Sequence, residues 1–236
     1  MGTLLQLETL PAAELLSWAI STYAGEFAIA TSFQKEGMVI LDLAARSNAG
    51  LFRVFTLDTG RLPEETYQMM EEVRRRYGIH VETVAPSAED LDALLTAHGP
   101  NLFYERPELR ALCCEIRKVR PLKRKLREFK AWASGLRREQ SETRADVRTV
   151  EEIDGRMRLC PLADWSSLDV ERYIREHDVP VHPLYELGYA SIGCAPCTRA
   201  VLPGEDQRSG RWWWELDSRK ECGIHFAANG KLERIA

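Results

Sequence analysis

Strand, polar loop and helix follow one another twice near the start of this chain, and that alternation limits its fold more than any other feature. Phe27-Ala28-Ile29-Ala30-Thr31 is a short apolar run suited to a buried strand. It leads through Ser32-Phe33-Gln34-Lys35-Glu36-Gly37 into an expected helix from Met38 to Arg46, and a helix from Pro11 to Tyr23 precedes it. Arg53 to Leu57 is a second strand, Asp58-Thr59-Gly60 a loop, and Pro63 to Tyr77 a helix stopped by Gly78. His80 to Ala85 is a third strand, and Ser87-Ala88-Glu89-Asp90 has the form of a capping box opening a helix to His98. Strands alternating with helices imply an α/β fold with a mostly parallel twisted sheet and helices on both faces. Ligands of such folds sit at the carboxyl ends of the strands, where Ser32 and Asp58 lie.

The later chain continues the pattern. Pro107 to Glu128 reads as one or two helices, broken near Arg120-Pro121, and carries the adjacent pair Cys113-Cys114. Lys130 to Ser134 is a fourth strand leading into Gly135-Leu136-Arg137-Arg138-Glu139-Gln140. Thr149 to Ile153 and Met157 to Cys160 form a hairpin turning at Asp154-Gly155, and Ser166 or Ser167 caps a helix to His177. A Pro- and Gly-bearing loop from Val179 to Tyr189 then delivers Cys194-Ala195-Pro196-Cys197. Beyond residue 200 the chain is polar and turn-rich up to Trp212-Trp213-Trp214, then ends through Glu221-Cys222-Gly223-Ile224-His225. This is expected to be a mobile tail, residues 201–236, on a domain of residues 1–200.

Two tight cysteine pairs are half a metal site each. Neighbouring helical residues point roughly 100° apart, so two adjacent thiolates converge poorly on one small ion, whereas each could bind a different iron of a cluster. The pairs therefore favour a four-iron, four-sulfur cluster over zinc, although four cysteines fit either, and unconnected core thiols are the plain alternative. Cys160, at a strand end, reads as structural. Cys222, near the chain end with His225 two residues on, reads either as a nucleophile or as an unimportant exposed thiol.

The net charge of −4 hides an asymmetry. Between Arg106 and Arg148 there are 14 Lys+Arg against 6 Asp+Glu, leaving 18 against 30 elsewhere. A basic stretch beside a cysteine centre suits a pocket for a small anion better than a nucleic-acid surface. No apolar run has the length of a membrane span, and Met1 to Leu10 lacks the basic cap and apolar core of a secretory leader. The expectation is a cytoplasmic protein without membrane or nucleic-acid partners, whose cysteines are ligands or reactive thiols rather than disulfides.

Together these residues resemble the assimilatory sulfonucleotide reductases, most closely the iron–sulfur adenylyl-sulfate (APS) reductases. The marks are Ser32-Phe33-Gln34-Lys35-Glu36, Leu57-Asp58-Thr59-Gly60-Arg61, Cys113-Cys114 with Arg117-Lys118, Gly135-Leu136-Arg137-Arg138, Cys194-Ala195-Pro196-Cys197 and Glu221-Cys222-Gly223-Ile224-His225. The resemblance implies an adenine nucleotide alpha hydrolase-like (ATP-pyrophosphatase-like) nucleotide-binding domain and a 4Fe–4S cluster on Cys113, Cys114, Cys194 and Cys197. It implies that Cys222 attacks the sulfur of APS, releases AMP and holds an S-sulfo intermediate, from which reduced thioredoxin frees sulfite. It also implies that Lys118, Arg144, Arg208 and Arg211 hold the phosphosulfate with His225 close by, and that Ser32, Leu57 and Gly135 line the adenosine site. Homo-oligomerisation is left open, as is the choice between APS and the 3′-phosphorylated nucleotide PAPS. Two rivals stand beside this reading. A tRNA-thiolation enzyme would need the pyrophosphatase Ser-Gly-Gly-x-Asp-Ser loop, which Ser32 to Gly37 does not supply. A zinc-stabilised nucleotide-binding module would leave Cys222 and the arginine-rich tail unexplained.

Overall fold

A computed structural model describes residues 4–47 and 49–215 of the chain. Helices α1 (Leu4–Glu8) and α2 (Ala12–Tyr23) lead into β1 (Phe27–Ala30), α3 (Lys35–Ser47), β2 (Arg53–Leu57), α4 (Glu64–Tyr77) and β3 (Val81–Val84). Next come α5 (Ala88–His98), α6 (Pro107–Cys114), a π-helical turn at Glu115–Val119 and α7 (Arg120–Leu126). The last elements are β4 (Ala131–Ser134), the hairpin β5 (Val150–Ile153) and β6 (Arg156–Leu159), and α8 (Ser167–His177). None of the helices among the described residues is long and apolar enough to cross a membrane.

The six strands form one sheet in the order β3-β2-β1-β4-β6-β5. β1 runs parallel to β2 and β4, and β4 parallel to β6, while β5 and β6 pair antiparallel as the hairpin. Successive strand residues face opposite sides. Phe27, Ala28 and Ile29 are all buried, as are Ala131, Trp132 and Ala133, so both faces of the central strands are covered. The hairpin turns where the sequence places it: Asp154 and Gly155 both have positive φ, the backbone that matches the strands' twist.

The chain divides into two units. The first comprises the chain up to Thr56, Glu65–Glu82 and Glu128–His182; the second comprises Leu57–Glu64, Thr83–Arg127 and the chain from Pro183. In the first, α3 packs against α2, α8 and β1, and every side chain from Met38 to Leu43 is buried. One of those is a carboxylate. Asp42 accepts hydrogen bonds from Arg46 Nε at 2.6 Å, Tyr77 Oη at 3.0 Å and Tyr173 Oη at 2.8 Å, tying α3 to α4 and α8. Burial and the nearby carboxylate hold both phenols above their ordinary pKa. Asp42→Ala strands two half-buried hydroxyls, and a loss of about 2–4 kcal/mol in urea denaturation is expected. A loss within about 0.5 kcal/mol, the range of an ordinary surface change, would show that the phenols find other partners.

The expected break at Arg120-Pro121 is absent. The helical path runs from α6 through the π turn into α7, with Pro121 in the first turn of α7. A proline lacks the N–H for an i→i−4 bond and crowds that carbonyl; a wider turn just before it shifts the register past the defect. Helix α3 also starts at Lys35 rather than Met38, because the Met38 amide already donates to the Gln34 carbonyl at 3.0 Å.

Candidate functional site

In the first unit, two loops at strand carboxyl ends meet. Gly135, just after β4, lies so close to α3 that an added Cβ would stand 2.8 Å from Glu36 Cβ and 3.2 Å from the Gly37 amide nitrogen. Glycine is required by that approach, not by backbone freedom. Ser32 sits in the facing loop and its Oγ accepts from Gln34 Nε2 at 3.0 Å. The same loop turns at Phe33, fully buried at φ +57°. Arg137 is buried and bridges the two loops: it donates to Glu36 Oε1 at 2.9 Å, the Trp165 carbonyl at 2.9 Å and Ser167 Oγ at 3.3 Å. Arg138 donates to the Val147 carbonyl and pairs with Asp164. Both loop arginines are therefore engaged within the protein. Arg144 donates to Gln140 Oε1 at 2.5 Å, and Leu57 ends β2. Cys160 is fully buried with Sγ 3.7 Å from Ser134 Oγ, and burial pushes its thiol pKa up.

The cysteine pairs belong to the second unit. Cys113 and Cys114 close α6, and the π turn follows at once, so Arg117 and Lys118 each lie four residues beyond a cysteine and share its face. The other pair sits on a single turn in which the Cys197 amide donates to the Cys194 carbonyl at 2.9 Å and Thr198 Oγ1 donates to the same carbonyl at 3.0 Å. That turn is fixed from both sides. Ala195 N–H donates to the Arg61 carbonyl at 2.8 Å, and Tyr104 Oη to the Pro196 carbonyl at 2.9 Å. All four cysteines line one cavity, together with Arg61, Arg110, Arg117 and Lys118. Thr59 Oγ1 lies 3.3 Å from Cys194 Sγ, and Arg117 Nη1 donates to the Thr59 carbonyl at 2.6 Å.

The donor set fits an iron–sulfur group. Each thiol is 8% exposed, and burial together with the neighbouring thiols pushes Cys197 up to about 12 and Cys113 upward. Buried thiolates this close to one another call for a cationic group between them. Among the described residues no three His, Cys, Asp or Glu side chains form a group that could hold a metal ion, and the four thiols come together as the lining of one pocket.

Arg211 is also buried, its guanidinium packed against Gly193, where an added Cβ would lie 2.3 Å from Nη2. Among the described residues, Arg117 Nε and Arg211 Nε are buried without a hydrogen-bond partner. Buried guanidinium nitrogens of this kind suit an anion, while Arg117 Nη1 is engaged by the Thr59 carbonyl and Arg211 Nη1 by Ser191 Oγ and the Ile192 carbonyl. Arg208 lies one turn before Arg211, whose amide donates to the Arg208 carbonyl at 2.9 Å. Cys222 and His225 lie outside the described residues. Arg61, Phe103, Arg110 and Trp212 on the cavity were not singled out as site residues by sequence reasoning, since nothing local tells a cavity-lining arginine from a solvated one.

This is an adenine nucleotide alpha hydrolase-like α/β protein with a four-thiol centre. The family described as phosphoadenosine phosphosulfate reductase domain matches residues 26–200. An adenosine 5′-phosphosulfate reductase from Burkholderia cepacia is 49% identical, over 84% of this chain and 79% of that protein. One from Allochromatium vinosum is 45% identical over 94% of this chain and 88% of its own length. Among solved structures, a phosphoadenylyl-sulfate reductase from Candida auris superposes with a TM-score of 0.69 at 25% identity, covering 85% of this chain and 98% of that one. The chain belongs to the phosphoadenosine phosphosulfate reductase domain family.

Proposed function

We propose that this chain reduces adenosine 5′-phosphosulfate to sulfite and AMP in assimilatory sulfate reduction, drawing two electrons from reduced thioredoxin. The observation that carries this reading is the four-thiol cavity ringed by Arg61, Arg110, Arg117 and Lys118, in a chain of this family. Cys113, Cys114, Cys194 and Cys197 would hold a 4Fe–4S cluster; when bound, it supplies fixed charge near the transferring group rather than electrons. Adjacent thiols on one helix suit a polynuclear group better than one zinc ion.

Arg211, Arg208, Lys118 and Arg144 hold the phosphosulfate, with His225 beside it, and the loops at Ser32, Leu57 and Gly135 hold the adenosine. The Cys222 thiolate attacks the sulfur, the bond from sulfur to the phosphate oxygen breaks, and AMP leaves with that electron pair. The enzyme now carries Cys222 Sγ–SO₃⁻. A thioredoxin thiolate attacks Cys222 Sγ and expels sulfite; its second thiol then resolves the mixed disulfide, so thioredoxin leaves oxidised and Cys222 is restored. Residues 201–236 bring the nucleophile to the bound anion. Thiols kept reduced and a thioredoxin donor both fit the cytoplasm.

Sulfite release from APS with reduced thioredoxin tests the reading directly. Release from PAPS alone would reassign the substrate, and release from neither would overturn the reading. A narrower result is expected from Arg211→Ala. APS binding should weaken by about 1.5–3 kcal/mol, the range for a charged hydrogen bond, and AMP binding by less. Equal losses would move Arg211 off the sulfate.

A further inference from the structure

Arg110, like Arg61 and Arg117, is a basic residue of this cavity that no step above uses. It lies on α6, one helical turn before Cys114, and is itself buried. Its Nε donates to Glu215 Oε1 at 2.5 Å, in a pair whose side chains are 9% and 6% exposed. Its guanidinium lies 4.5 Å from the centroid of the Trp212 ring, and the Arg211 guanidinium lies 4.7 Å from the same ring. Trp212 lines the cavity, its amide donates to the Cys197 carbonyl at 3.2 Å, and the Glu215 amide donates to the Trp212 carbonyl at 2.9 Å.

Isolated buried ion pairs contribute little to stability, so such a pair calls for a positional explanation. We infer that Arg110 and Glu215 are positioning residues: their buried pair pins the 211–215 turn to the helix that carries Cys113 and Cys114. Two consequences follow from this one contact. Arg211 is held with its open edge buried, because Trp212 cannot shift without breaking both guanidinium contacts. The point from which the chain continues to Cys222 is also fixed. Cys222 lies seven positions beyond Glu215, and seven extended steps of chain reach at most about 25 Å. Anchoring Glu215 on the cysteine helix therefore fixes the origin of that reach. The second consequence rests on the assignment of Cys222 as nucleophile; the anchoring itself does not.

The test uses the cofactor-loaded protein, Glu215→Gln, and the double variant Arg110→Met/Glu215→Leu, which leaves no lone buried charge and so keeps a folded sample available. Iron content should match wild type in both. Amide exchange over residues 208–215 should quicken about tenfold or more as the turn opens locally. The single-turnover rate of S-sulfo formation on Cys222 at saturating APS should fall about ten- to a hundredfold, as for a displaced reacting group, and APS should bind more weakly as Arg211 loses its support. Unchanged exchange overturns the anchor whatever the reaction. Faster exchange with an unchanged transfer rate, or a rate that falls only in step with lost iron, overturns the positioning role. If wild type itself acquires no sulfo group on Cys222, the nucleophile assignment has failed separately and exchange alone judges the anchor.

Discussion

Cys222→Ser is expected to lose sulfite production by at least about a thousandfold, as when a sole nucleophile is removed, while keeping wild-type iron. Serine is nearly isosteric, but its hydroxyl is not ionised at neutral pH, so the nucleophile disappears and the fold does not. The four cavity thiols come from other residues, all in the second unit, and none depends on the substituted atom. APS should still bind, because its anion-holding side chains are intact. Wild type mixed with sulfur-labelled APS and no thioredoxin should carry one labile group, which a thiol reductant releases as sulfite; the serine variant should carry none. Cys160 makes a poor alternative nucleophile. It is fully buried, and burial holds its thiol protonated above the ordinary range. Label recovered on Cys160, or an active serine variant, would overturn the assignment of Cys222.

Much of the fold is legible because it rests on local chemistry. β2 spans the residues that its apolar pattern marks, Ser87 caps α5 through the Asp90 amide, and Ser166 forms a reciprocal capping box with Asp169. Each is a signal carried by a few neighbouring residues. What fails is what depends on partners distant in sequence. Pro121 reads as a breaker because its local rule is to break; the π turn that admits it is set by the register of the whole 107–126 helix. Nothing near Arg137 and Arg138 in the sequence shows that Glu36, a hundred and one residues from Arg137, and Asp164 pair with them. The convergence of the cysteine pairs is legible only as composition: two pairs in one chain suggest one centre. Thr59 against Cys194, and Arg110 bound to Glu215, have no sequence signature at all, since each is a single contact across long separations.

The convergence of the pairs gives the other large effect. Cys194→Ser is expected to strip iron and acid-labile sulfide, lower thermal stability and abolish sulfite release together. The local turn should survive, because it is held by backbone: the Cys197 amide and Thr198 Oγ1 on the residue 194 carbonyl, and the Ala195 amide on Arg61. What is lost is charge balance. Arg61, Arg110, Arg117 and Lys118 line the cavity, and four thiolates with the proposed iron–sulfur core would carry the negative charge that faces them. Without it, buried cations such as Arg117 and Arg110 keep only part of their compensation. Breaking a buried charge pair typically costs about 3–5 kcal/mol, and a loss of that order is expected here. The second unit should register it first, as faster amide exchange around Cys113 and Cys197, whose helix and turn are joined through this centre. The first unit, with its own core from Leu7 to Val179, should be less affected. Metal analysis separates the readings of the centre: iron matched by acid-labile sulfide in wild type supports the cluster, and zinc without sulfide refutes it. A serine variant that keeps full iron would show that Cys194 is not a ligand, and that the Thr59 contact, not a metal, accounts for its buried sulfur.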